Sequence, residues 1–252
     1  MLGILKHRRR ARIAAQPFPE AWVDILSRNF RLYRRLPAPD RLELHGKTLV
    51  FLAEKDFEAC GGLVMSDEIR VTIAAQACLL LLHRKTDYYP GLSSVLVYPR
   101  AFLVDDRQVL EPDLVREGGE DVRRGESWSR GNVILSWEDV LAGGRGFNVV
   151  LHEFAHQLDT EDGDVDGAPW LGERGQASRW AAVLGEHYRE LRETVARRRS
   201  TLLDEYAATS PAEFFAVATE VFFEKALRLR REHPDLYQEL ARYYNQDPAG
   251  WY

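Results

Sequence analysis

The sequence predicts an α+β protein with a small sheet in its first half and a mainly helical second half. Three observations carry that reading. Val95–Tyr98 and Val133–Trp137 are short β-rich runs bounded by Gly, Pro or Ser, and both lie within the first 140 residues. Residues 176–199 instead repeat apolar side chains with a 3.6 period, at Trp180, Val183, Leu184, His187, Tyr188, Leu191 and Val195. Farther on, Ser210-Pro211 and His233-Pro234 open two more helices, the second stopping before Pro248.

From the N-terminus, the basic cluster Lys6–Arg12 leads into Ile13-Ala14-Ala15-Gln16-Pro17, not into an apolar segment of signal-peptide length. Residues 1–16 therefore read as a flexible basic tail and 17–252 as a single domain. Residues 20–36 have helical spacing (Trp22, Ile25, Leu26, Phe30, Tyr33), closed by Pro37 and Pro39. A second helical stretch runs near 40–59 and ends at Gly61-Gly62. Ser66 is placed to cap a buried helix reaching about His83, with Asp67 and Glu68 in its first turn. Between the two strands, 105–130 is charged and Gly-bearing, a long loop able to hold a hairpin. Asn148 can cap a helix from about Val149 to Leu158.

A chain of 252 residues can bury a sizeable core, and 45% apolar with 29% charged residues is ordinary for a globular protein. The net charge of −5 disfavours nonspecific nucleic-acid binding, which needs a basic surface. The longest apolar stretch, Leu79–Leu82 with its lead-in from Ile73, is broken by Gln76 and too short to span a bilayer. The cytoplasm is the expected location. Cys60 and Cys78 sit among apolar neighbours and read as buried reduced thiols, not a disulfide framework or thiolate metal site.

The chemistry is concentrated at residues 152–156, His-Glu-Phe-Ala-His. On a helix, positions i and i+4 share a face, so His152 and His156 can hold one zinc ion between them. Glu153 then lies beside the metal, where it can take a proton from water as a general base. Val150, Phe154 and Leu158 form an apolar stripe that would bury the helix away from the histidines. The pattern predicts a zinc hydrolase of the peptidase type.

A catalytic zinc site needs a third protein ligand and an open position. Asp162 would complete His-Glu-x-x-His-x-x-Gly-x-x-Asp, but Asp159 stands where that pattern needs Gly. The only methionines, Met1 and Met65, lie upstream, so no Met-turn follows. Glu213 and Glu220 lie 57 and 64 residues after His156, on the helix opened by Ser210-Pro211. Glu220 is followed four residues later by Glu224, similar to the Glu-x-x-x-Asp of thermolysin-like enzymes. Glu213 also fits a capping box with Ser210, in which its carboxylate reaches back to the cap amide. Spacing does not decide between them.

The run Phe147-Asn-Val-Val-Leu-His-Glu-Phe-Ala-His-Gln-Leu-Asp159 resembles the Mlc titration factor A family of bacterial zinc peptidases. So do Ile73-Ala-Ala-Gln-Ala-Cys78, Val97-Tyr98-Pro99, Gly125-Glu-Ser-Trp128 and Glu205-Tyr-Ala-Ala-Thr-Ser-Pro-Ala-Glu213. The resemblance covers nearly the whole chain after the basic tail. That family is similar in its catalytic core to the anthrax lethal factor protease domain, where a glutamate seven residues after a tyrosine completes the zinc site. By that resemblance the domain is zincin-like, the metal ligands are His152, His156 and Glu213, and Tyr206 hydrogen-bonds the oxyanion. Some relatives carry a further histidine before the Gly-x-Ser-Trp segment, able to block the metal. This chain has no histidine between His83 and His152.

The resemblance implies a peptide or protein substrate, an aminopeptidase leaning, and a link to a glucose-responsive (Mlc-like) transcriptional repressor. The rival it leaves open is a non-catalytic protein that sequesters such a repressor, with structural zinc. Three secondary features complete the reading. Asp162-Gly-Asp-Val-Asp166-Gly167, with Glu173, matches a calcium-loop pattern, although Pro169 fits it poorly, and reads as an acidic turn. Asp159 can orient a ligand imidazole or end the helix. Val133–Trp137 is expected as the edge strand that pairs with substrate, and His187 as a packed core residue.

Overall fold

Val95 and Val97, then Val133 and Leu135, alternate with half-exposed neighbours, and each of the four is fully buried. That period of two makes one inward face per strand. In the computed structural model, which describes residues 2–84, 87–100, 102–103, 122–123, 125–128, 131–144, 146–171 and 174–252, these runs are neighbours in a four-stranded sheet. The chain passes through helices α1 (Leu2–Ala14), α2 (Glu20–Asn29) and α3 (Ala38–Glu54), strand β1 (Asp56–Ala59) and helix α4 (Asp67–Leu79). Strands β2 (Ser94–Tyr98), β3 (Phe102–Leu103), β4 (Val122–Arg123), β5 (Gly125–Trp128) and β6 (Asn132–Ser136) follow. The rest is helical: α5 (Trp137–Ala142), α6 (Val149–Asp159), α7 (Arg174–Ala196), α8 (Pro211–Glu224), α9 (Ala226–Glu232) and α10 (Pro234–Tyr244). The α+β reading holds: a mostly helical chain with a small sheet built from the first half.

The sheet order is β1-β2-β6-β5, with β1, β2 and β6 parallel and β5 antiparallel to β6. This corrects two expectations. The strand over Val133–Trp137 is internal, flanked by β2 and β5, so the edge on that side is β5. Trp137 belongs to α5, because Ser136 accepts a hydrogen bond from the Asp139 amide and starts a helix there. The helix expected over 40–59 also divides. Its last residues form β1, mostly exposed, so no apolar alternation announced it and pairing with the β2 backbone makes it a strand. Helix α4 starts at the Ser66 cap as read, but ends at Leu79 instead of His83, where the backbone turns left-handed at φ 59°. The expected loop over 105–130 lies mostly outside the described residues. Its described parts are β4, antiparallel to β3, and β5.

Residues 2–14, expected as part of a flexible tail, form a helix lying along α3. Arg10 is its anchor, 6% exposed, with Nε and Nη2 donating to Glu54 at 2.9 and 2.7 Å and Nη1 to Asp87 at 2.5 Å. Gly46 on α3 permits the close approach, since a Cβ there would stand 3.2 Å from that of Ala14. The Arg10 hydrogen bonds hold the Glu54 carboxyl below its usual range. At Asp87, burial pushes up, but the bonds from Lys6 and Arg10 win and lower it. Both carboxylates therefore stabilise the docked helix above the ordinary carboxylate range, a contribution lost as pH falls through their depressed values. Arg10→Ala is expected to weaken α1 docking by about 1–3 kcal/mol. Amide exchange in residues 2–14 should then quicken at pH 7 while α6 stays protected; unchanged exchange would mean that packing alone holds α1.

Two helices occupy the centre. All eleven residues of α6 are buried, and α8 buries Ala212 and the whole run Phe214–Glu224. Phe154 of α6 packs its ring against Phe51 and Tyr89, with centroids 5.7 and 4.9 Å away. Sheet and helix pair thus meet in one core, with β5 and β6 against α6 and α8 on its other side. Among the described residues, no helix is long and apolar enough to cross a membrane.

Candidate metal centre

Asn148 starts α6 as its spacing suggested, accepting from the Leu151 amide at 3.0 Å. The cap fixes the helical register, and His152 and His156, one turn apart, then share a face. Ser210 caps α8 by accepting from the Glu213 amide at 3.1 Å, with Pro211 in the first turn. Only the Ser half of the proposed capping box is used this way. The Glu213 carboxylate turns towards the histidines, its Oε2 lying 3.0 Å from His152 Nε2 and 3.4 Å from His156 Nε2.

The two Nε2 atoms are themselves 3.3 Å apart. These three atoms form a near-equilateral triangle, and among the described residues theirs is the one His, Cys, Asp and Glu group found able to hold a metal ion. A tetrahedral zinc with bonds of 2.0–2.1 Å separates its ligands by about 3.3 Å, which matches. Glu213 Oε2 is buried, yet in hydrogen-bond alignment with neither imidazole. Two imidazole nitrogens and a carboxylate oxygen converging within 3.0–3.4 Å of one another form a donor set suited to a cation.

Burial alone would lower the basicity of His152, but the carboxylates of Glu213 and Glu220 beside it outweigh that and raise it well above the ordinary histidine range. Burial pushes Glu213 up, and the two histidines overcome this and depress it far below the usual carboxylate range. Burial also raises Glu220, reinforced by Glu224 and opposed by His152 and the Asn148 amide. A metal ligated here takes an unprotonated Nε2 from His152.

The other site residues fall around this triangle. Glu153, next to His152 on α6, is 4% exposed, and its charge acts on His152. Tyr206 lies in a single 3-10 turn (Glu205–Ala208) started by Asp204, whose Oδ1 accepts from the Tyr206 amide at 3.0 Å. The residue is 51% exposed and its ring is centred 6.2 Å from that of His152, at the mouth of the site instead of in the core. Glu220, a rival third ligand by spacing, lies against the other nitrogen of His152, with Oε1 2.8 Å from Nδ1. Sequence reasoning missed that placement, although Glu213 and Glu220 are two turns apart and necessarily share a helix face.

Of the rival residues, the Asp162 side chain and Glu173 lie outside the described ones, as does part of the calcium-loop pattern. Asp159 Oδ2 accepts from the Gly167 amide at 2.9 Å, and Trp180 Nε1 donates to the Gly167 carbonyl at 2.8 Å. Gly167 has φ 78°, and a Cβ there would stand 2.7 Å from the Pro211 carbonyl carbon. Asp159 thus pins the loop after α6 against the start of α8, two residues before Glu213. His187, expected in the core, is instead half-buried at its edge, its ring against His233 and its Nε2 3.0 Å from the exposed Asp235, because the acidic partners hold it at the surface.

The profile of the family described as Glucose-regulated metallo-peptidase M90 matches residues 5–245. A Synechocystis protein, slr2042, is 42% identical over 246 residues, spanning 95% of this chain and 89% of its own length. Mlc titration factor A of Salmonella agona is 33% identical over 233 residues, with 90% and 86% of the two chains covered. That of Klebsiella pneumoniae is 35% identical over 203 residues, covering 79% and 76%. The match extends from α1 to the last helix and includes both helices that carry the metal triangle, so the chain belongs to the glucose-regulated metallo-peptidase M90 family, which is that of Mlc titration factor A.

Proposed function

We propose that this protein is a zinc-dependent peptidase with a zincin-like catalytic domain, in which His152, His156 and Glu213 hold the metal and Glu153 is the general base. The supporting observation is the 3.0–3.4 Å triangle of two imidazole nitrogens and one carboxylate oxygen beside a buried second carboxylate. Zinc bound there would supply Lewis acidity and lower the pKa of water towards neutrality. Glu153 removes the proton of the attacking water and delivers it to the leaving amine, so no covalent enzyme intermediate forms. The Tyr206 hydroxyl, carried on a half-exposed ring at the mouth, donates a hydrogen bond to the oxyanion. The backbone edge of β5, outermost in the sheet among the described residues and packed against α6, suits pairing with an extended peptide.

The substrate is a peptide or protein in the cytoplasm, with an aminopeptidase preference. Because the Salmonella and Klebsiella relatives are named for titrating Mlc, a second reading is attached to the same surface: binding of an Mlc-like repressor without cleavage, zinc being structural. The buried Glu153 favours catalysis, since a closed structural site has no use for a base beside its metal.

The test is hydrolysis of aminoacyl-nitroanilides and internally quenched peptides by zinc-reconstituted and chelator-stripped protein. Turnover that requires zinc supports the peptidase, and the panel separates exo- from endo-cleavage. Stoichiometric zinc without turnover on any substrate would leave repressor binding as the better account. In the same assay Tyr206→Phe is expected to lower kcat by about 100-fold with KM little changed. An unchanged kcat would remove Tyr206 from oxyanion stabilisation.

A further inference from the structure

Helix α8 is apolar around Phe214, Phe215, Val217, Val221, Phe222 and Phe223, yet it carries two carboxylates into the interior. Glu220 is 2% and Glu224 5% exposed. Buried carboxylates are costly unless every oxygen is matched, and here the partners can be followed in a line. Glu220 Oε1 meets His152 Nδ1 at 2.8 Å, and its Oε2 accepts from the Asn148 amide. Asn148 Nδ2 donates to Gln76 Oε1 at 2.7 Å and to Glu224 Oε1 at 3.2 Å. Glu224 Oε2 accepts from Arg31 Nη2 at 2.5 Å, and the Arg31 side chain is 38% exposed.

We infer that Glu220 is a positioning residue for the metal centre, and that the buried chain Glu220–Asn148–Glu224–Arg31 extends that control to the protein surface. The inference rests on the zinc reading above. A histidine offers a metal only one nitrogen, and the hydrogen bond at the other decides which. With Glu220 on Nδ1, His152 presents Nε2 to the triangle. His156 is held differently, its Nδ1 buried without a hydrogen-bond partner among the described residues. Asn148 joins both tasks, since its Oδ1 caps α6 while its amide holds Glu220. The register of the histidines and the orientation of one of them therefore depend on the same residue. Arg31 supplies the positive charge that lets Glu224 stay beside Asn148 in the core.

The alternative is a purely structural bolt between α6 and α8. The full-length chain, wild type beside Glu220→Gln, Glu224→Gln and Arg31→Gln, distinguishes the two. Zinc affinity is measured by chelator competition at fixed pH. The ligand field is read from the visible spectrum of the cobalt-loaded protein, and the Nδ1 proton of His152 from NMR of the zinc-loaded protein. Glu220→Gln is expected to weaken zinc binding about 10–100-fold, to alter the cobalt spectrum, and to move the Nδ1 proton from its far-downfield position. Glu224→Gln and Arg31→Gln should weaken zinc binding several-fold in the same direction.

Zinc affinity within twofold of wild type in Glu220→Gln, or in both Glu224→Gln and Arg31→Gln, would overturn the inference. If Glu220→Gln fails to fold, the half-exposed Arg31→Gln and Glu224→Gln decide it alone. Wild type that binds no zinc would sink the metal reading and this inference together. Wild type that binds zinc with unaltered variants sinks this inference alone.

Discussion

Glu153→Gln is expected to lower kcat by about 10²–10⁴-fold, with zinc stoichiometry retained. The substitution keeps the shape of the side chain but removes its ability to accept and return a proton. Glu153 is buried on α6 beside His152 and stands outside the triangle of His152, His156 and Glu213, so the variant should keep its metal ligands. Its charge does act on His152, so the comparison is made at equal zinc occupancy, with kcat and KM measured separately. Activity within threefold of wild type would remove Glu153 from the chemistry, and a parallel loss of zinc would recast it as a residue that supports the metal.

The second large effect concerns the metal itself. Glu213→Ala is expected to abolish stoichiometric zinc binding near neutral pH, because two imidazoles on one helix remain and the anionic ligand from the second helix is gone. A ligand present at 100 times its Kd stabilises the folded protein by about 2.7 kcal/mol, which for a chain of this size is roughly 5–10 °C in Tm. Wild type should show that rise on adding zinc and lose it to a chelator; Glu213→Ala should show neither. If the variant keeps the zinc-dependent rise, the third ligand lies elsewhere, and Glu220 on the same face of α8 becomes the residue to test.

What could be read from the chain follows the range of the interactions involved. His152, Glu153 and His156 were readable because helical geometry over five residues fixes their relation, and Asn148 as the cap lies four residues before His152. Glu213 needed the family resemblance, since Ser210-x-x-Glu213 also describes a capping box, and only the approach of α6 to α8 turns its carboxylate to the histidines. Spacing makes Glu220 a candidate for the site, but which nitrogen of which histidine it meets is a property of that same packing. Strand β1 has no local signature, because its mostly exposed residues leave no apolar alternation. The docking of the N-terminal helix has no local signal, because the partners of Arg10 lie 44 and 77 residues away.

By itself, then, the sequence determined the helical second half, the two β-rich runs that become β2 and β6, the caps at Ser66 and Asn148, and the pair of histidines with a glutamate between them. All of these arise from periodicities and hydrogen bonds within a turn or two of chain, which composition and spacing record directly. Tertiary structure decided the strand order that makes β5 the edge, the docking of α1, the turn of Glu213 away from its cap, and the buried line from His152 to Arg31. Each of those joins residues dozens to almost two hundred positions apart. Their partners are chosen by how helices and strands pack around one core, and no local pattern encodes that choice.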